Sequence, residues 1–158
     1  MTFAERTMDP RQYRHCPGHV EADYIYTSGL AGERFFRELR DHGRLMGTKC
    51  PECGRSWLPP KLFCEDCFVE VRDWVDVPAE GRVAASCVVR VDLHDQPLRT
   101  PEVWGLIRFR GFEGGLVHRL LVPPERAKAG LTVKAVLRPE AARTGAITDI
   151  EGFATNTV

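Results

Sequence analysis

Two pairs of cysteines, Cys50-Pro51-Glu52-Cys53 and Cys64-Glu65-Asp66-Cys67, stand ten residues apart in a chain of 158 residues. Each C-x-x-C turn lets two thiolates grip one ion, because its backbone amides point inward at the sulfurs. Gly54, just after the first pair, supplies the positive φ that closes such a knuckle. Two knuckles at the ends of a hairpin complete a tetrahedron of sulfur, which suits Zn²⁺ or iron. We read the ion as structural Zn²⁺ held by Cys50, Cys53, Cys64 and Cys67, since the sequence shows no other redox machinery. Four thiolates leave no open position, so hydrolysis at this metal is not expected.

The alternatives for these cysteines are weaker. Two disulfides need an oxidising compartment. Residues 1–9 have no apolar core, so no signal peptide is expected, and no apolar run reaches the ~18 residues of a membrane span. We therefore expect a reducing, cytoplasmic location without membrane contact. A redox C-x-x-C uses one pair in another context.

The four cysteines define a ribbon over residues 44–77. It cannot fold by burial alone and depends on its metal. Before it, Leu30, Phe35, Phe36 and Leu39 fall on one face of a helical pattern over residues 29–43, with Ser28 as N-cap and Gly43 at the C-terminal end. Phe35 and Phe36 are packing groups, either on the chain's own barrel or on a partner. Residues 1–28 have no periodicity and read as an extended arm. His15, Cys16 and His19 within it form at most a weak metal motif.

From residue 78 to 158 the pattern is that of five strands. Val83, Ala85, Cys87, Val89 and Val91 alternate with Ala84, Ser86, Val88 and Arg90, which makes Cys87 a buried small residue. Residues 92–101 read as a loop, 103–109 and 116–122 as strands joined by a Glu-Gly-Gly turn, and 123–129 as a short helical turn. Strands follow over 131–137 and 146–153. Five short strands with a helical element between the third and fourth match an OB-type barrel, although strand count alone also allows other five-stranded barrels. The expected fold is thus mainly β: a helix, a rubredoxin-like zinc ribbon and an OB-fold barrel.

Charge separates function classes. Residues 48–80 hold four basic and seven acidic side chains, and residues 81–158 hold eleven and eight. Neither segment has the basic excess of a phosphate-backbone binder, and few aromatics fall on strand faces for base stacking. Nucleic acid is therefore a weak candidate partner, although the ribbon and barrel pair occurs in such proteins. His94 and His118 lack a nucleophile with a local motif and read as surface histidines. Arg108, Arg110 and Arg119 form either a solvated face or a basic patch for a phosphorylated ligand.

The segments Gly43-Arg44-Leu45, Cys50-Pro51-Glu52-Cys53-Gly54, Leu58-Pro59-Pro60, Cys64-Glu65-Asp66-Cys67 and Gly130-Leu131-Thr132-Val133 together resemble the zinc-ribbon/OB-fold family of acyl-CoA-associated proteins. The resemblance covers residues 29–153. It implies a small subunit bound to a thiolase-fold enzyme rather than a free-standing catalyst. Such complexes carry out thiolytic cleavage or condensation of acyl-CoA, or aldol cleavage of its side chain. It further implies that the ribbon braces the enzyme and that the barrel lies near the CoA path. Phe35 and Phe36 would then meet the partner, and Arg108, Arg110 and Arg119 the CoA phosphates. Catalytic residues would belong to the partner.

Overall fold

The computed structural model describes Asp9, Arg11 and residues 26–92, 94 and 96–155. His15, Cys16 and His19 lie outside these residues. Helix α1 spans Gly29–His42. It buries Ala31, Phe35 and Leu39 along one stripe. Gly43 ends it at φ 62°, donating its N–H to Leu39, while the Arg44 N–H reaches Glu38. The expected N-cap differs: the Ser28 side chain makes no capping bond, and Thr27 Oγ1 instead accepts the Gly29 N–H at 3.2 Å.

The ribbon contributes three short strands: β1 (Met46–Lys49), β2 (Ser56–Leu58) and β3 (Asp73–Asp76). β1 is central and antiparallel to both neighbours. The Arg34 guanidinium sits 4.5 Å over the Trp74 ring, tying α1 to β3.

Five strands make the second sheet: β4 (Glu80–Val91), β5 (Pro97–Phe109), β7 (Leu116–Arg119), β8 (Thr132–Leu137) and β9 (Ile150–Thr155). Their order is β7-β5-β4-β8-β9. A parallel bridge from Leu120 to Phe153 joins the two edges, with the Leu121 N–H donating to Phe153 at 2.8 Å. The sheet thus closes on itself, and the barrel presents no free edge there. Val83, Ile107, Val133, Ile150 and Phe153 fill its interior, and Phe35, Leu39 and Leu58 join the same core.

Several boundaries move for physical reasons. A β-bulge lies between Val83 and Ala85. One inserted residue reverses which side chains face inward. Val83 and, beyond the bulge, Val88 therefore pack on the core, while Cys87 is exposed rather than buried. β5 begins at Pro97, not Val103, because Val91 pairs with Pro97 to close a long hairpin. The last strand begins at Ile150, not Ala146, because Ile147–Asp149 form a 3₁₀ turn.

The Glu-Gly-Gly turn also forms strand β6 (Glu113–Gly114), which pairs in parallel with β2. The ribbon and barrel therefore share a seam. Gly114 holds φ 83°, and a Cβ there would press on the Leu58 carbonyl. Gly114→Ala should lower stability by roughly 2 kcal/mol, read as a lower urea midpoint with unchanged m-value.

Candidate metal centre

Both cysteine turns use one hydrogen-bond scheme. In the first, Cys50 N–H donates to Arg55 O at 2.8 Å and Gly54 N–H to Cys50 O at 3.0 Å. In the second, Cys64 N–H donates to Val69 O at 2.9 Å and Phe68 N–H to Cys64 O at 2.9 Å. The Cys67 N–H points at Cys64 Sγ, 3.4 Å away. Gly54 and Phe68 hold equivalent positions, with φ 71° and 54°.

The four Sγ atoms lie within 4.8 Å of one another, and Cys53 and Cys64 are 3.8 Å apart. Two thiolates each about 2.3 Å from one tetrahedral ion stand about 3.8 Å apart. A disulfide would need about 2.0 Å. The residues fit a tetrahedral metal, and four cysteines are positioned to bind one.

The thiols have conflicting environments without a cation. The Arg55 N–H donates to Cys53 and holds its thiol down at about 6, whereas burial first, then the neighbouring sulfurs, push Cys67 up to about 12. A divalent cation removes that conflict by neutralising charge that the thiolates would otherwise impose on each other. Arg55 also pairs with Asp66 on the second turn and lies 3.7 Å from Glu113 of β6. One guanidinium thus links both turns to the barrel seam. Buried Thr48 adds a second brace: its hydroxyl donates to Lys61 O at 3.0 Å and accepts the Lys61 N–H at 2.9 Å.

The other expected site residues are dispersed. Phe35 is buried in the chain's own core, so its ring is not available to a partner; this corrects the expectation drawn from the resemblance. Phe36 is partly buried against that core and meets Phe35 edge-on at 5.3 Å. Arg108 is exposed on β5 opposite Arg82, and Arg110 follows the strand end. Arg119 on β7 pairs across from Trp104, four residues from Arg108, about 13 Å along the strand. It lies 3.9 Å from Glu102. The three arginines therefore do not form one cluster. His94 is exposed, with its N–H on Asp92 at 2.8 Å. His118 is buried at 7% exposure, contrary to the surface reading, because its strand position faces inward opposite Gly105.

Two features escaped the sequence reading. Phe63 and Phe68 flank the second cysteine pair and are 62% and 85% exposed. Phe68 is the one non-glycine residue with positive φ among those described. Its signal was present: a phenylalanine stands where the first pair carries Gly54. Asp149 is the other. Its buried carboxylate accepts N–H bonds from Thr144, Gly145 and Ala146.

A tetrahedral thiolate ribbon seamed to a closed five-stranded barrel defines a metal-ribbon/OB-fold protein. The profile for "ChsH2, rubredoxin-like zinc ribbon domain" matches residues 37–72, and that for "ChsH2, C-terminal OB-fold domain" matches residues 74–138. The chain belongs to the DUF35 family. A DUF35 protein of unknown function from Sulfolobus solfataricus is 33% identical, with a TM-score of 0.59, over 68% of this chain and 77% of that one. A DUF35 domain-containing scaffold protein from Methanocaldococcus jannaschii is 28% identical over 108 residues, 66% of this chain and 75% of that one. The solved Ltp2-ChsH2(DUF35) aldolase has the same fold, with a TM-score of 0.59 at 22% identity, over 79% of this chain and 94% of that one. No helix among the described residues is long and apolar enough to cross a membrane.

Proposed function

We propose that this chain is the non-catalytic, zinc-bearing subunit of a cytoplasmic acyl-CoA complex built on a thiolase-fold enzyme. The observation that carries this reading is Phe68. A bulky side chain in the left-handed region is costly, and glycine would relieve it. The ring is nevertheless held there with little cover from its own chain, and Phe63, before the same cysteine pair, is exposed as well. Large exposed aromatics of this kind supply the anchors of protein interfaces. A closed thiolate site suits the same role, because it fixes the shape of the turn that presents them. The names of two relatives, a scaffold protein and an aldolase complex, agree with an accessory role.

Within that reading, the partner carries out thiolytic cleavage or condensation of a 3-oxoacyl-CoA. Exposed Arg108 and Arg110 meet the CoA phosphates, while Arg119 stands apart from them. The fold neighbour's name favours a second reading for the reaction, aldol cleavage of an acyl-CoA side chain. Assaying the reconstituted complex with a 3-oxoacyl-CoA plus free CoA, and separately with a 3-hydroxyacyl-CoA, separates the two.

Phe68→Gly tests the aromatic anchor. It should raise the stability of the metal-loaded chain by about 1 kcal/mol while weakening co-elution with the thiolase-fold subunit on a sizing column. A variant that is more stable and still binds fully would remove Phe68 from the interface.

A further inference from the structure

A groove of about 500 Å³ opens on the barrel, away from the ribbon, between β5, β7, β9 and the loop that precedes β9. Of the eight large apolar residues exposed among the described chain, three line this one groove: Val117, Leu121 and Ile147. Trp104 adds an aromatic surface, with its indole N–H committed to Glu102 at 3.0 Å. Such clustering of apolar side chains in a concavity of this size is the usual character of a small-molecule site. Its place, on the second and third barrel strands and the loop between the fourth and fifth, is where OB folds take ligands.

The polar groups are few and converge. His118 lines the groove, with its ring 6.1 Å from Trp104 and 5.8 Å from Phe153. Its Nε2 lies 3.4 Å from the Ile147 carbonyl, which can only accept, so Nε2 carries the proton. Nδ1 is then a buried lone pair, and it has no hydrogen-bond partner. Burial lowers the His118 pKa, outweighing the Ile147 and Arg119 backbone groups, which raise it. Two guanidiniums, Arg119 and Arg138, also line the groove. Glu102 is shared between Arg119 and Trp104. Glu151 also lines the groove, with no ion pair to Arg138 among the described residues, and the Asp149 carboxylate, between the lining residues Thr148 and Ile150, is committed to backbone N–H groups.

The loop that carries Ile147 and Thr148 is set in advance. Asp149 draws the N–H groups of Thr144, Gly145 and Ala146 onto its carboxylate at 2.7–3.3 Å. Arg143 Nε fastens the start of that loop by donating to Arg138 O at 2.9 Å. The lip of the groove is therefore held by the chain's own hydrogen bonds, which lowers the ordering cost of binding a ligand.

We propose that this groove binds a small amphipathic organic anion, with its apolar or planar body on Trp104, Val117, Leu121 and Ile147 and its carboxylate or phosphate on Arg119 and Arg138. The site is independent of the subunit reading: it belongs to this chain alone and uses neither the ribbon nor Arg108 and Arg110.

The test uses the full, metal-loaded chain and three probes with one body: 1-naphthoate, 1-naphthyl phosphate and uncharged 1-naphthalenemethanol. Binding is followed by amide and indole NMR shifts. The expected result is saturable shifts at Trp104, His118 and Thr148 with at least one anion. Arg138→Gln should weaken binding of that anion about tenfold or more, Arg108→Gln should leave it unchanged, and the uncharged alcohol should bind about as weakly as the anion binds the Arg138 variant. Which anion binds tighter identifies the headgroup. Shifts that centre on Arg108, equal binding of alcohol and anions, or no saturable shift with any probe would each overturn the site. Because no partner is present, these outcomes do not depend on whether the chain joins a thiolase-fold complex.

Discussion

Stripping the metal with a chelator, or replacing Cys64 by serine, should unfold the ribbon. Its buried cluster consists of Cys50, Trp57, Cys64 and Val71, with Cys67 and Val69 packed against it. Trp57 and Val71 are the only fully enclosed side chains of that cluster that are not cysteine, too few to order some thirty residues of chain. Metal binding supplies the difference, on the order of 10 kcal/mol for structural zinc sites. We expect the apo chain to lose the near-ultraviolet circular dichroism of Trp57 and the amide dispersion of residues 46–76. The seam should loosen with it, because Leu58 of β2 belongs to the main core. Added Zn²⁺ should restore both signals at one equivalent. Substituted Co²⁺ should give the intense visible bands of a tetrahedral thiolate site. An apo chain with an unchanged ribbon would show that packing alone suffices.

Asp149→Ala should produce a large loss of stability in the barrel. The carboxylate is fully buried and accepts from three backbone N–H groups and, at 3.3 Å, the Thr144 hydroxyl. Removing it leaves those donors without their acceptor and frees the loop over residues 138–149. The expected cost is about 3 kcal/mol, a fall in melting temperature of ~10 °C or more. Burial alone would raise the Asp149 pKa, but the Thr144, Gly145 and Ala146 N–H groups outweigh it and hold the carboxyl below its ordinary value. A depressed pKa contributes stability that is complete above the unfolded-state value near 3.9. That contribution is lost as pH falls through the lower folded-state value. The gap between wild type and Asp149→Ala should therefore be full at neutral pH and narrow in acid. Comparing the two proteins at each pH cancels the loss of metal from protonated thiols. A gap that widens in acid would contradict the assignment.

The metal centre was legible in the sequence because a cysteine turn is local: spacing within four residues places both sulfurs. Strand identities in the barrel were legible for a similar reason, since alternation is read residue by residue. What escaped was set by non-local pairing. The bulge after Val83 arises from its pairing with Ile107, and it reversed the face of Cys87. The register of β7 on β5 carried Arg119 to Trp104 rather than to Arg108. Amphipathicity shows which face of α1 is buried but not what buries it, so it leaves Phe35 open between the chain's own barrel and a partner; of these, the ring lies in the chain's own core. Asp149 read as part of a strand because its carboxylate is committed to backbone groups three to five residues earlier, a geometry that alternation does not report.

The accessory role is tested by co-expressing this chain, metal-loaded, with a thiolase-fold subunit of the same organism and assaying acyl-CoA turnover for each chain alone and for the purified complex. The expected result is a stable complex in fixed stoichiometry, with turnover that requires the thiolase-fold subunit and is absent from this chain by itself. Turnover of acyl-CoA by the isolated chain, or no complex with any thiolase-fold subunit alongside salt-sensitive binding to single-stranded nucleic acid, would contradict it.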